Sequence, residues 1–173
     1  MDLGLRGRRA LITGGSRGIG FAVAEALAAE GAAVGLVARD AAGLAEAAGR
    51  LEPRGVPVAT AAADVTDTPA LQRAVAEIAS ALGGLDHLVA NAGGTVGTGN
   101  LTSAADDEFT ATFALNAGHA VELIRAGRPH LQAAGGGAVV IISSVTGMRP
   151  APRTAYAAAK AAEIHLAATA AQE

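Results

Sequence analysis

The sequence predicts a doubly wound α/β fold around a parallel sheet, and three observations carry that expectation. Short apolar runs alternate along the chain with stretches whose apolar residues recur at the 3–4 spacing of a helix. The run Ala138-Val139-Val140-Ile141-Ile142 lacks polar alternation, as expected of a strand covered by helices on both faces. Glycines at Gly14, Gly15, Gly18 and Gly20 separate the first apolar run from the first helical pattern, the strand-turn-helix order of a right-handed parallel crossover.

The elements follow in order. Residues 10–13 read as a strand, and Ile19, Ala22, Val23, Ala26 and Leu27 place a helix after it. The rhythm repeats with a strand at 33–38, a helix at 41–51, a strand at 56–62, a helix at 69–82 and a strand at 85–90. A long helical segment then runs from about 103 to 133, with a break expected near Gly127 or Pro129. Glycines 135–137 deliver the chain into the strand at 138–142, and an Ala-rich helix follows near 154–171. At 173 residues and 51 % hydrophobic, with no break in composition, the chain is long enough for one domain with a sizeable core, spanning 1–173.

Composition narrows the function classes. Net charge is −3, and the one basic cluster, Arg6, Arg8 and Arg9, has no interleaved aromatics, so it reads as a solvated lead-in and nucleic acid is not expected as a partner. The absence of cysteine excludes disulfides, thiolate metal sites and cysteine nucleophiles. His87, His119, His130 and His165 show no metal-ligand spacing, so no metal is expected. No apolar stretch follows Met1 and the uncharged stretches elsewhere are broken by Gly and Ser, which points to a soluble, cytoplasmic protein without a membrane partner.

Two segments carry chemistry. In Thr13-Gly14-Gly15-Ser16-Arg17-Gly18-Ile19-Gly20 the glycines permit a tight turn and let backbone N–H groups approach a phosphate at a helix N-terminus, which suits a dinucleotide pyrophosphate. No Gly-Lys-Ser/Thr follows, so the turn is not a P-loop. Where an acid would take the ribose 2′-OH of NAD stands Arg39, with Arg17 inside the turn, and two guanidiniums suit a 2′-phosphate. NADP(H) is therefore favoured over NAD(H). Arg39 also reads as an exposed strand end beside an Asp40 that either caps the next helix or itself serves NAD.

The second segment holds the single tyrosine, Tyr156, and the single lysine, Lys160. At i and i+4 they share a helix face about 5–6 Å apart. A cation at roughly 4 Å from a phenolate supplies about 4 kcal/mol at an effective ε of about 20, an upper bound that would bring a phenol with pKa about 10 down by roughly three units. Taken alone, the pair also reads as a half-buried Tyr and a solvated Lys on an Ala-rich helix.

In combination these motifs give the sequence a resemblance to the short-chain dehydrogenase/reductase family over nearly its whole length, including members like the 3-oxoacyl-carrier-protein reductases. Residues 13–20 match the family's TGxxxGIG, Asp64-Val65 its adenine-contacting pair, Asn91-Ala92-Gly93 its NAG element, Asn116 its helix asparagine, Ser144 its catalytic serine, and Tyr156 with Lys160 its YxxxK. The resemblance implies a Rossmann fold, with cofactor contacts at Gly14, Ser16, Arg17, Gly18, Ile19, Gly20, Arg39, Asp64, Val65, Asn91, Ala92, Gly93, Tyr156 and Lys160. It implies catalytic roles for four residues in the interconversion of a small-molecule carbonyl and a secondary alcohol. Tyr156 would be the general acid/base and Ser144 would hold the substrate oxygen. Lys160 would act on both the phenol and the nicotinamide ribose, and Asn116 would position a water for proton exchange.

Plainer readings stand beside these. Asp64 also suits a strand end or turn, Asn91 a loop cap, and Asn116 a surface helix position. Ser144 lies one residue nearer Tyr156 than the family spacing, which a shorter loop explains, and Ser143 is the alternative. The chain ends at Glu173, where the family continues with further strands and a substrate-binding loop, so the strand at 138–142 is expected to be an unpaired apolar sheet edge. Either a fragment or a native truncation accounts for that. An NADP(H)-dependent oxidoreductase and a catalytically silent dinucleotide-binding or interaction module are the two function classes that follow. A homo-oligomer through the helices near 103–133 and 154–171 is the expected assembly.

Overall fold

The computed structural model describes residues 3–173. Five strands form one sheet: β1 (Arg9–Thr13), β2 (Ala33–Ala38), β3 (Val58–Ala62), β4 (His87–Ala90) and β5 (Ala138–Ile141), in the order β3-β2-β1-β4-β5. Every pairing is parallel. The crossovers are α1 (Gly18–Ala29), α2 (Ala41–Leu51), α3 (Thr68–Leu82), α4 (Asp106–Phe113) with α5 (His119–Ala133), and α6 (Thr154–Ala170) follows β5. This is the doubly wound Rossmann arrangement. Strand order reverses between β1 and β4, so the carboxyl ends of those two strands open the crevice in which such sheets bind ligands.

Side-chain alternation along the inner strands sorts the core into two layers. Ile12, Val34, Leu36 and Val89 pack with Phe21 of α1 and Leu44 and Leu51 of α2. Leu11, Val37 and Leu88 face the other way, onto Leu71, Val75 and Ile78 of α3 and Leu123 of α5. Each such side chain contributes about 1.5–3 kcal/mol by leaving water. β1 and β2 are almost wholly buried, whereas β5 is a sheet edge on which Val139 and Val140 stay exposed. No helix among the described residues is long and apolar enough to cross a membrane.

Several boundaries differ from the sequence expectation. β3 begins at Val58 because Pro57 offers no N–H to the ladder, although its carbonyl still accepts from Val34. β4 begins at His87, although the Asp86 backbone already bonds to Arg9 O and Ala138 N–H, and the Asp86 carboxylate makes an ionic contact. Its Oδ2 accepts from the Arg9 backbone N–H at 2.9 Å and from Arg9 Nε at 2.7 Å, and its Oδ1 accepts from Arg8 Nη1 at 3.4 Å. Arg9 is thus a half-buried ion-pair partner of Asp86, while Arg8 pairs with the same carboxylate from an exposed position, as a solvated lead-in would. The Arg9 hydrogen bond outweighs burial and holds the Asp86 carboxyl below its usual range.

The expected helix at 103–133 starts at Asp106 and is interrupted at Ala114–Gly118 by a π-turn, not at Gly127 or Pro129. Both of those residues lie inside α5. Gly127 is where the helix rides directly over β4, and a Cβ there would collide with Leu88. The π-turn carries Asn116, in line with the tendency of such bulges to sit at functional positions.

Candidate active site

β1 ends at Thr13, and the chain turns on Gly14 and Gly18, both at positive φ (66° and 58°). A Cβ on Gly14 would stand 2.8 Å from Asn91 Nδ2, and one on Gly20 would collide with the Gly14 carbonyl. The turn is therefore as tight as glycine allows. Gly14 N–H is anchored on Val37 O at 2.7 Å, and α1 begins after Arg17 with no side-chain cap, so the first N–H groups of the helix face the crevice unclaimed. Ser16 is half-buried there, and Arg17, Gly18 and Ile19 are exposed.

At the neighbouring strand ends, Arg39 is exposed while the Asp40 carboxylate caps α2 by accepting Ala42 N–H at 3.1 Å. Asp64 forms a local turn: Oδ1 accepts from Thr66 N–H at 2.9 Å and from Thr66 Oγ1 at 2.7 Å. Those bonds, with a smaller contribution from Arg39, hold its carboxyl below the usual range. Val65 is buried in the core beside Leu71.

The Thr13 hydroxyl joins this turn to the loop after β4. Oγ1 accepts N–H from Asn91 at 3.0 Å and Ala92 at 3.2 Å, and Asn91 Nδ2 donates back to Thr13 O at 2.9 Å. His119 closes the cluster from α5. Its Nδ1 lies 2.9 Å from both Leu115 O and Asn116 O, which can only accept, so the ring proton sits on Nδ1, and the Thr13 hydroxyl proton is shared between Nε2 at 3.2 Å and Val89 O at 3.3 Å. Burial, foremost, lowers the His119 pKa from 6.5 to about 4, and the ring is neutral at physiological pH.

Asn116 is fully buried, contrary to a surface helix position. Its Oδ1 accepts Gly94 N–H at 3.2 Å, and its Nδ2 donates to Gly94 O and Thr112 O, each at 2.7 Å. All its amide contacts are to protein, and they fix the loop after Gly93. A Cβ on Gly93 would stand 2.6 Å from Asn116 Oδ1 and 3.1 Å from Lys160 Nζ, so these three residues converge at one point.

Lys160 is 3 % exposed, not solvated. Its Nζ donates to Ile142 O at 2.9 Å and to Glu163 Oε1 at 3.0 Å, and it lies 5.5 Å from the centre of the Tyr156 ring. Tyr156 is half-buried, and among the described residues its hydroxyl has no hydrogen-bond partner. Ser143 Oγ gives its proton to Lys160 O at 2.7 Å. Ser144 Oγ instead accepts from Thr146 N–H at 3.2 Å and Thr146 Oγ1 at 3.0 Å, which leaves its own proton free. Glu163, buried at the next helical turn, is a site residue that sequence reasoning missed. Its i+3 spacing from the only lysine was the available signal.

A family profile described as short chain dehydrogenase matches residues 8–173. The chain belongs to the short-chain dehydrogenase family. It is similar to a tropinone reductase homolog of Arabidopsis thaliana, 37 % identical over 145 residues that make up 83 % of this chain and 53 % of that relative. L-sorbose reductase of Gluconobacter frateurii, solved with NADPH and L-sorbose, is similar at a TM-score of 0.95 and 38 % identity over 99 % of this chain and 66 % of that one. An NADH-dependent reductase solved with NAD is similar at a TM-score of 0.91 and 33 % identity over 99 % of this chain and 74 % of that one. This short-chain dehydrogenase chain thus spans about half the length of the curated relative.

The residues present fit a dinucleotide. Gly14, Gly15 and Gly20 leave no room for a Cβ in the turn, and the uncapped start of α1 offers N–H donors to a phosphate. Among the described residues no group of His, Asp and Glu gathers to hold a metal ion.

Proposed function

We propose that the chain forms the nucleotide-binding and proton-handling part of an NADP(H)-dependent oxidoreductase that interconverts a small-molecule carbonyl and a secondary alcohol. The observation that carries this reading is the Lys160 ammonium held 5.5 Å from the Tyr156 ring at the end of the sheet, beside the open glycine turn. When bound, the nicotinamide supplies or accepts hydride. The chain's own residues do the rest. Tyr156, whose hydroxyl has no partner among the described residues, gives a proton to the substrate oxygen in reduction and takes it back in oxidation. Ser144 keeps a proton with which to hold that oxygen, whereas the Ser143 proton is committed to Lys160 O, which favours Ser144 of the pair. The Lys160 ammonium, held over the Tyr156 ring, supplies the positive charge of the site.

Asn116 serves this site by fixing Gly94 through its amide, with one Oδ1 lone pair left for the water it would position in proton exchange. Gly14, Ser16, Gly18, Ile19 and Gly20 cradle the pyrophosphate, with Asn91, Ala92 and Gly93 forming the opposite wall and Asp64 and Val65 the adenine end. Arg17 and Arg39 take a 2′-phosphate. Asp40, engaged in capping α2, leaves that position to them. Self-association through α5 and α6 completes the proposal. The test is NADPH fluorescence on mixing, followed by its oxidation with a panel of ketones. No change on mixing rejects the reading.

One observation favours a second reading. β5 leaves Val139 and Val140 on an open sheet edge beside the proton-handling residues, as in a dinucleotide-binding module without turnover. NADPH binding with every ketone inert selects that alternative.

A further inference from the structure

Glu163 has no part in the chemistry above, yet it touches the group on which that chemistry turns. It is 1 % exposed. Its Oε1 accepts from Lys160 Nζ at 3.0 Å, while Oε2, equally buried, has no partner among the described residues. A carboxylate with one oxygen unsatisfied is an expensive occupant of a protein interior, and a well-packed apolar side chain would serve stability as well or better. Its presence calls for a role in setting the charge of the cluster.

The surroundings leave few other charges to do so. On α6 the titratable neighbours are Tyr156 and Lys160. His119 approaches Lys160 from α5 but is neutral. β5 and the turn after it, residues 138–148, carry no charged side chain. On α4, Asp107 is exposed and Glu108 is tied to the N–H groups of Thr98 and Gly99. Burial, foremost, pushes the Glu163 carboxyl up, opposed by the Lys160 hydrogen bond and charge.

We propose that Glu163 is a positioning residue that sets how strongly the Lys160 cation acts on the Tyr156 hydroxyl. Ionised, it neutralises the ammonium and holds it toward Ile142; protonated, it releases that charge to favour the phenolate. Proton transfer at Tyr156 is thereby coupled to a second acid that lies one helical turn beyond the lysine. The catalytic meaning of this coupling rests on the function proposed above, but its measurement does not.

The chain has one tyrosine and no tryptophan, so the ultraviolet absorbance of tyrosinate reports Tyr156 alone. Titrating the wild-type chain against Glu163→Gln and Glu163→Leu, with circular dichroism to confirm folding, tests the coupling without cofactor or substrate. Seven residues at about 1.5 Å rise set Glu163 about 10 Å along the helix from Tyr156, and a unit charge at that separation and an effective ε of about 20 moves an ionisation midpoint by about one pH unit. Both variants are expected to lower the Tyr156 midpoint by about that amount, and Lys160→Met to raise it. Folded Glu163 variants with an unmoved or raised midpoint overturn the proposal. Wild-type NMR decides the matter even where the variants fail to fold: the Tyr156 ring resonances should shift at the pH where the Glu163 carboxyl carbon titrates, and two unrelated transitions overturn the coupling. Failure of ketone turnover would sink the proposed function while leaving this titration readable.

Discussion

Around β1 and β2 the crevice is made of backbone. Gly14 donates to Val37, α1 starts without a side-chain cap, and the walls are glycines that a single methyl group would fill. Across β4 and β5 the same edge of the sheet is made of side chains whose hydrogen bonds are largely spent on one another: Asn116 on Gly94 and Thr112, Lys160 on Ile142 and Glu163, Ser143 on Lys160. The burial differs as well, β2 lying deep in the core and β5 at the rim. The first region is rigid because sterics leave it no alternative, and it offers unclaimed donors to a ligand. The second is held by side chains that largely satisfy each other, and among the described residues it leaves the Tyr156 hydroxyl and the Ser144 proton uncommitted.

That contrast can be broken most forcefully at Tyr156. Tyr156→Phe should leave NADPH affinity within about twofold while lowering ketone turnover by about 10²–10⁴-fold, the usual worth of a positioned acid/base. Equal losses of binding and turnover would erase the division between the two regions. The next largest effect is at His119, which ties them together. Its ring stays neutral when folded at pH values where the unfolded chain already binds a proton. Stability should therefore rise with pH between about 4 and 6.5 and be lost on descending through that window, by about 3 kcal/mol at most. Urea unfolding across that range should show the slope in the wild type and a flatter profile in His119→Gln; equal slopes refute the assignment.

On the backbone side, Gly20→Ala should weaken NADPH binding by about 5–150-fold, the equivalent of about 1–3 kcal/mol of overpacking against the Gly14 carbonyl. Undiminished binding by fluorescence titration would mean that the turn yields. The smallest effects separate Arg39 from Asp40. Arg39→Ala should cut the NADPH-to-NADH affinity ratio about tenfold. Asp40→Ala should leave that ratio alone and cost about 1 kcal/mol of stability through the lost cap of α2. A changed ratio in Asp40→Ala would assign the ribose contact to the acid.

The same division governs what could be read from the sequence. Glycines forced by close approach leave a mark in linear order, so the turn at 13–20, the strand rhythm and the parallel sheet were all legible in the chain itself. Features that arise from remote partners were not. Arg9 looked solvated because Asp86 lies 77 residues away. Asn116 looked like a surface residue because a π-turn, invisible to a 3.6-residue period, presents it to the loop at Gly94. Gly127 and Pro129 signalled a break that the packing of α5 on Leu88 overrides. Glu163 belongs to none of the motifs, although its spacing from Lys160 places the two on a common helix face.

Thr13 has a consequence for motion. Its one oxygen is shared by the amides of Asn91 and Ala92 and faces the His119 ring, so the first and fourth crossover loops are riveted at a single atom. A dinucleotide settling onto the glycines would be felt at once by the segment leading to Gly93, and from there at the lysine, without any hinge between them. The two loops breathe as one body or not at all.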